Sequence, residues 1–291
     1  MDIAADSLST LLSRLPDELL LAILQVAVDH ADRHTVISIA QSSKLLYALA
    51  APVLYFSIVL NDSNQLAIQP LLNNPTAARH IRSILAINRN WSPETEQCMN
   101  LVGVKMFSGF PMSMVHIYEG LPTPTRMSVK TFLSWNTTML NHSPLHTAMQ
   151  PITHLGLFIS YTSAPFLTSV QDWLDATPLV NRLSFEVISH GIQLLPNTFP
   201  TMFSRELREM LNRPQNRRLR HVYIRLASGV PATGPEYRNA LATIHPVPAQ
   251  IWLWQDERVI TDHSEDERIC IEDALAGRYA FIMGTPVLPL Q

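Results

Sequence analysis

Two histidine pairs have the spacing that comes nearest to a metal site. His30 and His34 lie four positions apart, as do His142 and His146, and this interval can place two imidazoles on one face of a helix. Zinc needs further ligands, and neither pair has a carboxylate or thiolate partner at matching spacing. We therefore expect these histidines in solvent-facing loops, and we expect no metal and no cofactor.

Motifs for covalent or phosphoryl chemistry are missing from the sequence. It contains no Gly-x-Ser-x-Gly elbow, no P-loop, no Gly-x-Gly-x-x-Gly and no His-Glu-x-x-His. Its 9 glycines are few for the tight backbone loops that cradle phosphates. We predict that the protein is not an enzyme and that it acts by binding.

Two segments of opposite charge are the strongest electrostatic feature. Residues 205–225 hold seven arginines and two glutamates, whereas residues 256–273 hold eight acidic residues and two arginines. One interpretation is that the two segments complement each other within the fold. The other is that an arginine patch grips an acidic or phosphorylated peptide through bidentate hydrogen bonds, and the residues concerned are Arg213, Arg217, Arg218 and Arg220.

Composition excludes several classes of partner. The net charge of −3 and the lack of aromatic residues among these arginines argue against nucleic acid. The longest apolar run, residues 45–60, is interrupted by Pro52 and is shorter than the ~18–20 residues of a membrane span. With only two cysteines and no basic leader, the sequence predicts a soluble protein of the cytoplasm or nucleus.

The positioning elements begin with three short helices. Apolar residues from Leu15 to Ala27 recur at helical spacing behind Pro16, which is tolerated in a first turn. Thr35 can cap a second helix, and a third helix from Leu45 should stop at Pro52, before an extended segment that reaches Leu60. Such a unit buries little surface, so we expect it to dock on the rest of the chain or on a partner.

These residues carry a resemblance. The segment Leu15–Leu24, a polar loop, a Ser-Lys-Leu helix at 43–45 and the Pro-x-Leu-Tyr exit at 52–55 together resemble an F-box, particularly that of fungal F-box proteins. Residues 71–84 are similar to the segment that leads into the first strand of fungal F-box proteins with degenerate leucine-rich repeats.

Short apolar strands recur after residue 80, with cores at 84–87, 154–158, 182–187, 221–226 and 250–254. An apolar residue precedes each of the last four, namely Ile152, Leu179, Leu219 and Val247. Between them we predict helices behind a Thr168/Gln171 capping box, over 201–211 and over 235–244. Trp252 and Trp254 alternate with apolar residues, so we expect the last strand to be buried on both faces.

Residues 94–146 do not fit this spacing. We predict two helices there, over 95–107 and 128–140, and favour a helical insertion over a hidden pair of repeats. The predicted fold class is α/β, with a three-helix F-box and then an irregular leucine-rich-repeat-like α/β solenoid. The predicted divisions are 1–60, a connecting helix at 61–80, the repeat region 81–255 and a C-terminal cap and tail at 256–291, with a helix over 272–281.

The resemblance implies a function. F-box proteins are substrate receptors of SCF-type ubiquitin ligases, in which the F-box binds the cullin-linked adaptor and the repeats hold a protein target. The adaptor would contact Leu15, Pro16, Glu18, Leu19, Leu20, Ile23, Leu24, Val36 and Leu46. The alternative is a scaffold or interaction protein in which the F-box is structural or binds the adaptor outside any ligase.

Overall fold

Three helices form at the N-terminus, as the apolar spacing predicts. They occur in a computed structural model that describes residues 15–29, 33–42, 44–60, 79–86, 104–109, 129–134, 143–160, 166–188, 199–226, 234–244, 249–256 and 285–287. The helices are α1 (Asp17–Asp29), α2 (Arg33–Ser42) and α3 (Lys44–Leu54). They enclose a small core of Leu24, Val36, Ala40, Ala50 and Leu54.

Two predicted details of these helices are wrong. Thr35 lies inside α2 and does not cap it, and α3 continues through Pro52 to Leu54. Proline removes one helical hydrogen bond, but burial of Leu54 in the core favours continuation of the helix beyond it. The extended segment accordingly begins at Ser57.

The rest of the described chain forms one nine-stranded sheet in which the strands follow each other in sequence order. Strands β1 to β8 are parallel, and β9 pairs antiparallel with β8. The strands are β1 (Ser57–Leu60), β2 (Ser83–Ala86), β3 (Met106–Gly109), β4 (Thr131–Ser134), β5 (His154–Ser160), β6 (Arg182–Ile188), β7 (His221–Leu226), β8 (Gln250–Gln255) and β9 (Thr285–Pro286). The protein is therefore α/β, with an open and largely parallel sheet.

Helices cover one face of this sheet. They are α4 (Ser143–Met149), α5 (Phe166–Ala176), α6 (Phe199–Leu211) and α7 (Gly234–Ala242). Alternate strand residues point at them, and the ring of Phe185 on β6 lies 5.8 Å from that of Phe203 on α6. Trp173 on α5 lies 5.6 Å from Phe132 on β4 in the same way. We call the other face of the sheet the open face.

Most of the predicted strands are confirmed, since the cores at 154–158, 182–187, 221–226 and 250–254 lie within β5, β6, β7 and β8. The apolar residue predicted to precede β6 in the repeat pattern is wrong. Leu179 is 57% exposed, and its neighbour Val180 is buried instead. The capping box is also wrong, because Thr168 lies inside α5. Gln171 bonds to Asp175 and Asn216.

The helical insertion at 94–146 is the main correction. The helices predicted over 95–107 and 128–140 overlap β3 and β4, which pair in register with the strands on either side. Phe107 and Phe132 stack at 5.9 Å between these two strands and anchor both in the core. This segment thus supplies two strands of the common sheet.

Several predictions fall outside the described residues. They include the connecting helix before residue 79, Val247, the helix over 272–281, and His30 and His142. The second histidine of each pair, His34 and His146, lies in a helix, α2 and α4 respectively, so the prediction that these two are in loops is wrong. No helix in the described ranges is long and apolar enough to cross a membrane.

Candidate functional site

The first candidate surface is an apolar stripe on α1. Leu19, Ile23 and Val26 recur at intervals of four and three residues, so they share one side of the helix. They are 52%, 44% and 55% exposed, respectively. Leucine, isoleucine and valine are usually buried, so three of them exposed on one side of a helix are typical of a surface that meets a partner. We call these three residues the α1 stripe.

The structure divides the predicted adaptor-binding residues into two groups. Pro16, Glu18, Leu19 and Ile23 are exposed, and Leu15 is half-buried. Four others are buried, so they are not available to a partner in this arrangement; they are Leu20, Leu24, Val36 and Leu46.

The second candidate surface is the open face of the sheet around β5 to β8. Parallel register puts His154, Arg182, His221 and Gln250 side by side in one row, and Gly156, Ser184, Tyr223 and Trp252 in the next. The Tyr223 ring lies 6.0 Å from both His221 and Trp252 and 6.2 Å from His154. Four aromatic side chains from three strands therefore form one cluster.

Burial and nearby arginines set the protonation of this cluster. Burial is the main cause that lowers the pKa of His154 to about 3, and Arg182 and His221 add to the effect. The pKa of His221 is lowered by burial and then by Arg182 and Arg220. Both imidazoles are therefore neutral at pH 7. Burial raises the pKa of the Tyr223 phenol, so its hydroxyl stays protonated.

An ion-pair network lies beyond this cluster, near the carboxyl ends of the strands. Arg225 Nη1 lies 3.0 Å from Glu186 Oε2, and Arg225 Nε donates to Asp256 Oδ2 at 3.1 Å. The same guanidinium lies 4.8 Å from the ring centre of Trp254. Arg225 and Asp256 come from the two oppositely charged segments, so at this point the segments do complement each other.

The tryptophans of β8 only partly match the prediction. Ile251 and Leu253 are buried on the helix-covered face, whereas Trp252 and Trp254 are half-buried on the open face. Burial on both faces is therefore incomplete at this strand.

The arginine patch lies in the loop between α6 and β7. Arg213, Arg217 and Arg220 are exposed there. Arg218 is different, since its guanidinium donates to the carbonyls of Leu174, Thr177 and Gln215 and so joins the end of α5 to the loop. Asn216 holds the same loop with bonds of 2.9 Å to Gln171 and to the carbonyl of Met210. Arg218 is thus a structural residue here, and three of the four predicted arginines face solvent.

A cleft of about 520 Å³ between α6 and α7 offers no evident catalytic group. Its described lining includes Ser204, Arg205, Arg208 and Glu236 but no histidine, cysteine or aspartate. Within the described ranges no three metal-ligating side chains converge on a common point.

Comparison of the chain with protein-family models, with curated proteins and with solved structures gives no match. The function has to be argued from the two surfaces themselves.

The sequence reasoning missed most of the open-face cluster. His154, Arg182, His221 and Tyr223 are each the first or third residue of a strand, where they alternate with inward apolar residues. That alternation was the available signal, because it places polar and aromatic residues of successive strands on one face.

Proposed function

We propose that the protein is the substrate-receptor subunit of an SCF-type ubiquitin ligase. In this proposal α1 to α3 form an F-box that binds the cullin-linked adaptor, and the sheet region is an irregular leucine-rich-repeat solenoid that holds a target protein. The observation that carries the proposal is the α1 stripe, since its three exposed apolar side chains begin with the last leucine of the Leu-Pro-Asp-Glu-Leu start at residues 15–19.

The adaptor-binding part rests on the α1 stripe and its surroundings. The hydrophobic cluster that the described residues form between these helices is small for a unit that has to be stable alone. Covering Leu19, Ile23 and Val26 with a partner removes apolar surface from water and adds to stability at about 25 cal/mol per Å². A small helical unit with exposed apolar residues therefore gains stability when a permanent partner covers them.

The repeat part is supported by a pattern of buried residues that strands β3 and β4 complete. A buried apolar residue lies two positions before each of β2 to β7, and further inward residues follow at the second and fourth strand positions. Leucine-rich repeats combine one strand with ~20–29 residues in an L-x-x-L-x-L pattern. From Ile81 to Val104, Val129 and Ile152 the intervals are 23, 25 and 23 residues, and the buried series is Ile81, Val104, Val129, Ile152, Val180 and Leu219.

The mechanism follows from positioning alone. The receptor contributes no reacting group; it holds the target so that a lysine amine meets the activated ubiquitin thioester carried by another subunit. A high effective concentration of the two reactants is a sufficient source of rate.

The first prediction tests the adaptor surface. Replacement of Pro16 and Ile23 by alanine should weaken the adaptor complex by about 2–4 kcal/mol, because both side chains are exposed and central to the surface. Isothermal titration of the purified adaptor with the full chain measures the loss. A matched control is Leu179→Ala, which truncates an equally exposed apolar residue next to β6 and should leave the affinity unchanged.

Copurification distinguishes the ligase from the scaffold. A ligase receptor brings the cullin down together with the adaptor, whereas a scaffold with a structural F-box brings down the adaptor alone or neither protein. Unchanged adaptor binding by the Pro16/Ile23 double variant would remove the main support for adaptor binding by α1, whether within a ligase or outside one.

A further inference from the structure

Basic residues that are far apart in the sequence meet at one edge of the sheet, where the strands begin. The residue before each strand bonds to the corresponding residue before the next strand. Lys105 N donates to Arg82 O, and Lys130 N donates to Lys105 O, both at 2.8 Å. The chain of bonds continues through Thr153 and Asn181 to Arg220. Positions 82, 105, 130 and 220 therefore lie in one row.

The side chains of this row are accessible. Lys105, Lys130 and Arg220 are exposed and Arg82 is half-buried. Arg182, the first residue of β6, is also exposed and pairs with His221, the residue after Arg220. We call Arg82, Lys105, Lys130, Arg182 and Arg220 the basic edge. Adjacent strands are ~4.8 Å apart, so the row from β2 to β7 is about 24 Å long.

The acidic residues of the sheet itself lie away from this edge. In the described strands and the residues that flank them, the carboxylates are Glu186, the fifth residue of β6, and Asp256, which follows β8. Both lie toward the opposite end of the strands and pair there with Arg225. The charge of the basic edge is not neutralised by the sheet that carries it.

The pKa values of three histidines indicate a positive electrostatic field along the edge. His80, His154 and His221 all have a lowered pKa, for which burial is the first cause. The second cause is in each case an arginine, Arg79 for His80 and Arg182 for the other two. The same sign of field therefore acts at both ends of the row.

Two buried polar atoms lie close to the start of β7 and β8. Trp252 Nε1 and His221 Nδ1 are buried and have no hydrogen-bond partner in the part of the chain that the structure describes. An indole N–H can only donate, so an acceptor oxygen is the group that completes it. An unsatisfied indole donor on a sheet that carries this row of cations favours a ligand with carboxylate or phosphate oxygens.

We propose that the basic edge is a docking surface for an extended acidic segment of a partner protein. The row of about 24 Å corresponds to about seven residues of extended chain at ~3.3 Å each. The identification of this partner as the ubiquitylation target rests on the proposed function. The binding of an acidic peptide by this edge does not depend on it.

Nucleic acid is the weaker candidate for the same edge. Base stacking needs open aromatic faces, and Tyr223 is only 6% exposed, with its neighbours His221 and Trp252 both about 6 Å away. The net charge of −3 also opposes a long polyanion over the rest of the surface.

Fluorescence anisotropy with the full chain tests the proposal. The probes are a labelled 12-residue peptide rich in glutamate, the same peptide with glutamine at those positions, and a 12-nucleotide oligo-dT. The glutamate peptide should bind and weaken steeply as salt rises, since charges near a surface are screened over ~10 Å at 0.1 M. The glutamine peptide should not bind measurably.

Charge reversal locates the site. The double variant Lys105→Glu, Lys130→Glu should weaken binding of the glutamate peptide about tenfold or more, because two adjacent contacts become repulsive. Arg205→Glu, Arg208→Glu changes the net charge equally at two exposed positions on α6 and should alter binding less than about twofold. Lys105→Arg, Lys130→Arg keeps the charge and should bind normally.

The outcomes separate this proposal from the ligase. Equal losses in both charge-reversed variants, equal binding of the glutamine peptide, or tighter binding of oligo-dT would overturn the acidic-peptide site. Adaptor binding is measured on the same proteins. If the wild-type chain binds the glutamate peptide but not the adaptor, the result counts against the proposed ligase and not against the acidic-peptide site. If the charge-reversed pair unfolds in a thermal melt, Lys105→Gln, Lys130→Gln supplies the test with a smaller expected loss.

Discussion

His154 shows what a single residue contributes on the open face. It starts β5 with 4% of its surface exposed, and its neighbours Arg182 and His221 both disfavour a further positive charge. The imidazole is neutral in the folded protein, while an unfolded chain protonates near pH 6.5. Its contribution to folding is therefore complete above pH 6.5 and decreases as pH falls toward 3.

This linkage predicts an acid-sensitive fold. Between pH 7.5 and pH 5 the free energy of unfolding should fall by about 2 kcal/mol on account of His154, because the unfolded state takes up a proton that the folded state does not. Urea unfolding at the two pH values measures the change. His154→Gln should show a smaller pH dependence; an identical dependence in the variant would contradict the assignment to this residue.

At the scale of elements, the position of β3 in the sheet depends on a glycine. Gly109 ends β3 with φ near +157°, next to Ala86 of β2. A Cβ at this position would come within 2.7 Å of the Ala86 carbonyl oxygen, a backbone atom that cannot rotate away. The β2–β3 pairing thus requires glycine here.

We expect Gly109→Ala to lower the free energy of unfolding by about 2 kcal/mol, from the close contact and the strained φ together. Gly156→Ala on β5 is the matched control. Its Cβ would approach Leu133 Cδ2 and Ser184 Oγ, which are side-chain ends that can move, so its loss should be smaller. Urea unfolding of both variants decides the matter, and equal stability of wild type and Gly109→Ala would argue against the β2–β3 register.

At the scale of the whole molecule, the distribution of lysines bears on the proposed ligase. The chain has only three lysines, Lys44, Lys105 and Lys130, with 18 arginines. All three are exposed, and Lys44 begins α3 within the three-helix unit. Arginine stays protonated and is not an ordinary acceptor of ubiquitin, so few sites on the receptor can be modified.

If the protein is such a receptor, self-ubiquitylation should be slow and confined to Lys105 and Lys130, since an adaptor bound to the three helices would obstruct Lys44. A reconstituted ligase assay compares wild type with Lys105→Arg, Lys130→Arg, which keeps the charge of the basic edge. The variant should lose self-modification while it still binds the glutamate peptide. Unaltered self-modification would show that this edge does not face the ubiquitin-loaded enzyme.

Local pattern alone was sufficient for α1, α6 and the strands β5 to β8. Each of these elements is at least six residues long and has a regular apolar period, so the sequence predicts its type, and for α6 and β5 to β7 also its inward side. Phe203 and Leu207 on α6 and Leu183 and Phe185 on β6 are buried as that period requires. The exposed arginines before β7 were also predictable as a charged patch.

Tertiary structure decided the rest. Strands β3 and β4 are four residues long and too short to show a period, and it is their pairing with β2 and β5 that makes them extended. In α1 the sequence identifies Leu19, Leu20, Ile23 and Leu24 as apolar, but only tertiary packing buries Leu20 and Leu24 and leaves Leu19 and Ile23 exposed. Lys105, Lys130 and Arg220 are far apart in the chain, and the parallel register alone brings them into one row, because each strand begins beside its predecessor.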